Sequence, residues 1–166
     1  GSFVFLLGTI FSDYHKNWEL KNAMFGGFVA TSAMGLVPMI HAYGGAILFE
    51  AAAMTGVTMG SLGAVAWNAP SEQFLKMGGV LAIGLGGLLG VSLMQMFYQL
   101  LAPLQHQVYG GIGLFSLFVL YDTQMMMKRA KTKKLYDPIR DALEIYLDAL
   151  NLFVRFAEAR SNSKKK

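Results

Sequence analysis

Val108-Tyr109-Gly110-Gly111-Ile112-Gly113-Leu114-Phe115-Ser116-Leu117-Phe118-Val119-Leu120-Tyr121-Asp122-Thr123-Gln124-Met125-Met126-Met127 contains a single charged side chain. A helix of about 20 such residues crosses roughly 30 Å of hydrocarbon. Its one charge, Asp122, therefore falls inside a membrane span. A carboxylate there costs a few kcal/mol at the least, so it is read as a functional group whose partner must be found. One span further on, Tyr146-Leu147-Asp148-Ala149-Leu150-Asn151-Leu152-Phe153 supplies a candidate partner in Asp148.

Working outward, the rest of the chain has the same character. Of 166 residues, 54% are hydrophobic and 14% charged, with 19 Gly, 11 Met and no Cys. A soluble domain of this length carries more charge and more amphipathic periodicity. The lack of Cys excludes a disulfide scaffold, a Cys-based zinc site and a Cys nucleophile. The net charge of +4 comes from basic residues between spans and at the tail. Positive-inside bias and lipid headgroups account for these, and no nucleic acid is expected as a partner.

The first apolar stretch, Ser2 to Phe11, is too short to span and lacks the basic leader of a signal peptide. It reads as the end of a helix whose beginning is missing. A polar link, Ser12 to Lys21, leads into a charge-free span from about Asn22 to Ala42, which Pro38 should kink near one end. Tyr43-Gly44-Gly45 turns the chain into a span from about Gly44 to Trp67 that carries Glu50. After a turn at Asn68-Ala69-Pro70-Ser71-Glu72, a third span covers about Met77 to Leu101 and ends at Leu101-Ala102-Pro103. The Val108–Met127 span follows. A basic loop with Lys128, Arg129, Lys131, Lys133 and Lys134 then leads to Asp137-Pro138, an N-cap and first helical residue. The last helix is expected from about Ile139 to Ala157.

The expected fold is thus all-α, a polytopic membrane bundle of five full spans and a partial one. It forms a single domain over residues 1–160 with a basic tail at 161–166. Short links make neighbouring helices antiparallel. One face of the bundle, side 1, receives Lys16, Lys21, Lys76 and the basic loop; the short loops of side 2 hold His41 and His106. Positive-inside bias puts side 1 on the cytoplasm-like face, while the lysine tail on side 2 argues the other way. Gly56 with Gly60 and Gly86 with Gly90 have the four-residue spacing that lets apolar helices approach. The run Gly84–Gly90 misses the GxGxxG spacing, sits mid-span, and is no nucleotide loop.

Depth relates the two aspartates. At about 1.5 Å per residue, Asp122 lies roughly 9 Å from Lys128, and Asp148 roughly 13 Å from Ile139, both measured from side 1. Two like charges in one dry pocket cannot both ionise cheaply, so such a pair shares a proton and can exchange it for a hard divalent cation. Thr123, Gln124 and Asn151 could add neutral oxygens. The competing arrangement has Asp122 reaching the interface and the last helix lying on the membrane surface. Its polar stripe Glu144, Asp148, Asn151, Arg155 fits that arrangement as well. Glu50 and Arg155 both come near side 2, as an ion pair or, for Glu50, as a ligand at the far mouth of a path. His15, His41 and His106 lie in links without metal-ligand spacing. Ser61, Ser92 and Ser116 have no buried His beside them, so no enzyme is expected.

Leu120-Tyr121-Asp122-Thr123-Gln124 followed by Tyr146 to Phe153 resembles the paired signature of the Bax inhibitor-1 family, over about Asn22 to Arg160. Ala69-Pro70-Ser71-Glu72-Gln73-Phe74-Leu75-Lys76-Met77-Gly78 and Lys134-Leu135-Tyr136-Asp137-Pro138-Ile139 resemble its mitochondrial branch. The resemblance implies a seven-helix fold with the last helix central, of which two N-terminal helices are missing wholly or in part here. It implies a calcium leak or Ca2+/H+ exchange through the bilayer, with Asp122 and Asp148 as the metal-binding, pH-sensing pair and no resident cofactor. It further implies the mitochondrial inner membrane and a link to cristae organisation and apoptosis control, with apoptosis or cristae proteins as candidate partners. The other class of function is a non-transport scaffold for such proteins, its aspartates serving only helix packing.

Overall fold

The computed structural model describes residues 1–70, 72–97, 105–132 and 134–165, and at 92, 95–97 and 105–107 the backbone alone. The expected end of the third span at Leu101-Ala102-Pro103 lies outside the described residues, as do Ser71, Lys133 and Lys166. The elements, in order, are α1 (Ser2–Phe11), α2 (Trp18–Gly35), α3 (Val37–Tyr43), α4 (Gly45–Asn68), a 3-10 turn (Phe74–Met77), α5 (Gly78–Phe97), α6 (Gln105–Thr132) and α7 (Pro138–Lys164). No strand occurs among the described residues.

Local chemistry sets the breaks. Pro38 cannot donate a backbone hydrogen bond, and the helix interrupts at Leu36, dividing α2 from α3. Gly44 adopts φ +86°, a left-handed conformation open to glycine, and its N–H caps α3 by donating to Ile40 O. The Asp137 carboxylate accepts from the N–H groups of Ile139 and Arg140 at 3.1 and 3.2 Å, so α7 starts at Pro138 as the sequence predicts.

Two boundaries differ from expectation. The basic loop is mostly helix, because α6 runs on to Thr132. Likewise α7 continues to Lys164, so residues 161–164, expected as tail, form its last turn, with Ser161 buried. Side chains that find partners hold both extensions in place.

Trp18–Tyr43, Gly45–Asn68 and Phe74–Val91 are long and apolar enough to cross a membrane. Their outer faces carry Phe49, Val57 and Ile83, each more than 70% exposed. Water would penalise such a surface; acyl chains do not. Helices α6 and α7 have the length, at 28 and 27 residues, but carry more polar residues. Those polar residues turn inward. Along α7 the residues Asp141, Leu143, Asp148, Leu152, Phe156, Ala157 and Ser161 are buried, and the helix packs against α6, α4 and α2. The last helix is therefore inside the bundle and does not lie flat on a membrane surface. The core joins Ala51 of α4, Phe115 and Val119 of α6, and Leu152, Phe156 and Ala157 of α7.

The glycine pairs are placed otherwise than expected. A Cβ at Gly56, Gly60, Gly86 or Gly90 would meet nothing within 4 Å. Close approach occurs at Gly84, where a Cβ would come 2.8 Å from Leu114, and at Gly111, where it would collide with the Arg155 side chain.

Candidate functional site

The seam between α6 and α7 carries the polar residues. The α7 stripe is longer than expected: Asp137, Asp141, Glu144, Asp148, Asn151 and Arg155 follow at steps of four and three, one face of the helix. Because α6 and α7 are antiparallel and joined on side 1, their side-1 ends sit together.

The deepest pair is the predicted one. Asp122 and Asp148 are 9% and 4% exposed, and their carboxyl groups are within hydrogen-bonding reach of each other. Asp148 Oδ2 is buried with no donor on it, so a bond to Asp122 needs a proton carried by the pair itself. Neighbouring polar groups do other work. Gln124 Oε1 accepts from the Phe74 N–H at 2.7 Å, and its Nε2 donates to Ala66 O and Pro70 O, both at 3.3 Å. Gln124 thereby ties the end of α4 to the 3-10 turn instead of lending an oxygen to the pair. Asn151 Nδ2 donates to Leu147 O of its own helix at 2.8 Å.

On the side-1 end, Arg129 Nη1 in the last turn of α6 donates to Asp141 Oδ1 and, at 2.9 Å, to Glu144 Oε2. Arg140 Nε approaches Glu144 Oε1 at 3.4 Å. Lys21, 4% exposed, places its Nζ 2.5 Å from Asp137 Oδ2 and 2.9 Å from Ser12 O. Tyr136 stands beside Asp141, and burial, followed by that carboxylate, pushes its phenol up to about 12.

Side 2 corrects one expectation. Glu50 pairs with Arg160, and with Lys164 Nζ at 3.4 Å, not with Arg155. The reason is the extra length of α7, which brings both basic residues past Glu50. Arg155 lies over the Phe115 ring, 5.5 Å from its centroid, in the space left by Gly111. Its Nε is buried and makes no hydrogen bond.

Sequence reasoning missed Lys21, Arg129 and Asp141. Asp141 had a legible signal, since it lies seven positions before Asp148 and so on the same helix face. Lys21 and Arg129 looked like ordinary interfacial charges, and nothing local marks Lys21 as buried or Arg129 as paired with two carboxylates. No three His, Asp or Glu side chains come together as a metal-ligand set among the described residues. The aspartate pair would hold a cation with two carboxyls and leave the rest of its shell to water.

Comparison with known proteins agrees with this architecture. The chain is 39% identical over 164 residues to the growth hormone-inducible transmembrane protein of Rattus norvegicus, covering 92% of this chain and 45% of that protein. It is 32% identical over 157 residues to an uncharacterized protein of Campylobacter jejuni, covering 89% of this chain and 65% of that one. To Bax inhibitor 1 of Drosophila melanogaster it is 29% identical over 156 residues, 92% of this chain and 63% of the relative. The chain thus spans between about half and two thirds of the length of these relatives. The sequence profile of the family described as "Inhibitor of apoptosis-promoting Bax1" matches residues 1–164. With that match, and with its helical multi-pass bundle, the chain belongs to the Bax inhibitor-1 family of membrane proteins.

Proposed function

We propose that this chain carries a divalent cation, calcium, across the membrane in exchange for protons or as a proton-gated leak. Asp122 and Asp148 are the pH-sensing, ion-binding pair. The observation that supports this most is their direct approach inside the α6–α7 seam. Two carboxyl oxygens at hydrogen-bonding distance need a proton between them. Losing it leaves two charges that repel or that recruit a cation with hard oxygen ligands. The protonated pair holds α6 and α7 together; the deprotonated pair opens them or loads an ion. The work is transport, not catalysis.

The likeness of the stretches Ala69 to Gly78 and Lys134 to Ile139 to the family's mitochondrial branch supports a further part of the proposal, action at the mitochondrial inner membrane with roles in cristae organisation and apoptosis control. The alternative is a scaffold for apoptosis or cristae proteins in which the aspartates only pack helices.

Calcium flux into liposomes holding the purified full-length protein separates the two. Asp122→Asn should abolish the pH dependence of flux in the neutral range and weaken calcium binding at the pair. A variant that keeps the wild-type pH–flux curve would leave the scaffold reading.

A further inference from the structure

The side-1 end of the seam holds a second pair of carboxylates, Asp141 and Glu144, with one cationic group between them. Arginine binds a carboxylate most strongly through two parallel N–H bonds. Here a single nitrogen, Arg129 Nη1, is divided between Asp141 Oδ1 and Glu144 Oε2. That is how a point cation sits between oxygen ligands.

The carboxylates are not fully used by this contact. The Asp141 side chain is 2% exposed, and its Oδ2 is buried with no hydrogen bond. The phenol of Tyr136 stands beside the same carboxylate, within reach of a weak hydrogen bond to it. A buried carboxylate oxygen without a donor is costly, and arginine on the other oxygen does not relieve it. A hard cation, which takes six to eight oxygens, would use it.

Access exists from both sides of the clamp. Glu144 lines a cavity of about 490 Å3 at side 1, together with Asp13, Lys21, Asp137 and Arg140; Leu147, the residue before Asp148, also lines it. Asp141 lines a second cavity of about 850 Å3 that reaches Thr123, next to Asp122. The two carboxylates held by Arg129 thus open on different sides, Glu144 on a polar vestibule and Asp141 on a groove that runs along the α6–α7 seam as far as Thr123 and Ala149. Asp141 and Glu144 precede Asp148 by roughly 10 and 6 Å of helix rise.

We propose that Asp141 and Glu144 form an outer divalent-cation site, occupied in this state by the Arg129 guanidinium as a tethered stand-in for the ion. An arriving cation displaces Arg129, and the clamp opens toward the inner pair. The inference rests on the reading of the chain as a cation pathway. Two carboxylates and water hold such an ion loosely, as a site of passage must.

The test uses purified full-length protein with Asp122→Asn and Asp148→Asn, titrated with Ca2+ alone in a calorimeter. Without the inner pair, the protein should still bind Ca2+. Adding Glu144→Gln should weaken that binding at least tenfold. Adding Arg129→Gln instead should tighten it about tenfold, because the competing cation is gone, and Arg129→Lys, which keeps a cation on a shorter side chain, should tighten it less. No Ca2+ binding in the pair-less protein overturns the outer site and leaves the proposed function standing. So does unchanged affinity in Glu144→Gln, or in a folded Arg129→Gln or Arg129→Lys protein. Binding that follows this pattern while flux ignores Asp122→Asn keeps the outer site and overturns the inner gate.

Discussion

Lys21 Nζ lies 2.5 Å from Asp137 Oδ2, a contact between residues 116 positions apart that fastens α2 to the start of α7. The same Asp137 carboxylate caps α7 through its other oxygen. One side chain thus fixes both where the last helix begins and how it docks. Lys21 is nearly fully buried, whereas Asp137 keeps some contact with solvent.

That asymmetry orders two variants. Asp137→Ala loses the cap, worth about 1 kcal/mol, and strands a buried ammonium, for which about 3–5 kcal/mol is typical. Lys21→Met removes the buried charge itself and should cost less. Thermal unfolding in detergent should rank Asp137→Ala as the less stable protein.

Gln124→Leu should destabilise by about 1–3 kcal/mol for the partners it leaves unpaired. The Phe74 N–H and the carbonyls of Ala66 and Pro70 lose their side-chain partner. Hydrogen exchange at Phe74 should quicken, while exchange in α7 should stay near wild type.

Glycine substitutions should divide by position. Gly111→Ala drives a methyl group into Arg155 and should cost about 1–3 kcal/mol as overpacking. Gly56→Ala and Gly86→Ala meet open space and should be neutral or slightly stabilising. Equal losses at all three positions would mean that α4 and α5 pack against partners of their own.

Tyr136 should ionise late, since its phenol is pushed up to about 12. An unfolded phenol loses its proton near pH ~10. Between these values the folded chain retains a proton that the unfolded chain has lost. The stability from Tyr136 is therefore complete below the unfolded value and falls as pH rises toward the folded one. Ultraviolet tyrosinate absorbance should show a late component that Tyr136→Phe removes.

Leu152 is fully buried between α4 and α6. Leu152→Ala should cost about 2–5 kcal/mol through lost packing. Unfolding in detergent and the yield of folded protein both read this loss.

Much of the molecule was legible in the residues because hydrocarbon imposes simple conditions. Apolar run length marks the spans, Pro38 and Gly44 punctuate them, and Asp137-Pro138 starts the last helix. The membrane allows few carboxylates, so Asp122 and Asp148 stood out, and counting rise from side 1 put them at one depth. What no local pattern contains is which distant charge meets which. A lysine or arginine near a span end looks the same whether it faces lipid headgroups or a buried acid, so Lys21 and Arg129 passed as interfacial charges. Glu50 had three basic residues within reach on one long helix, and the rotation and length of α7 chose Arg160 and Lys164 over Arg155. Glycine spacing likewise states that a helix could be approached; only the packed bundle decides that Gly84 and Gly111 are approached while Gly56, Gly60, Gly86 and Gly90 are not.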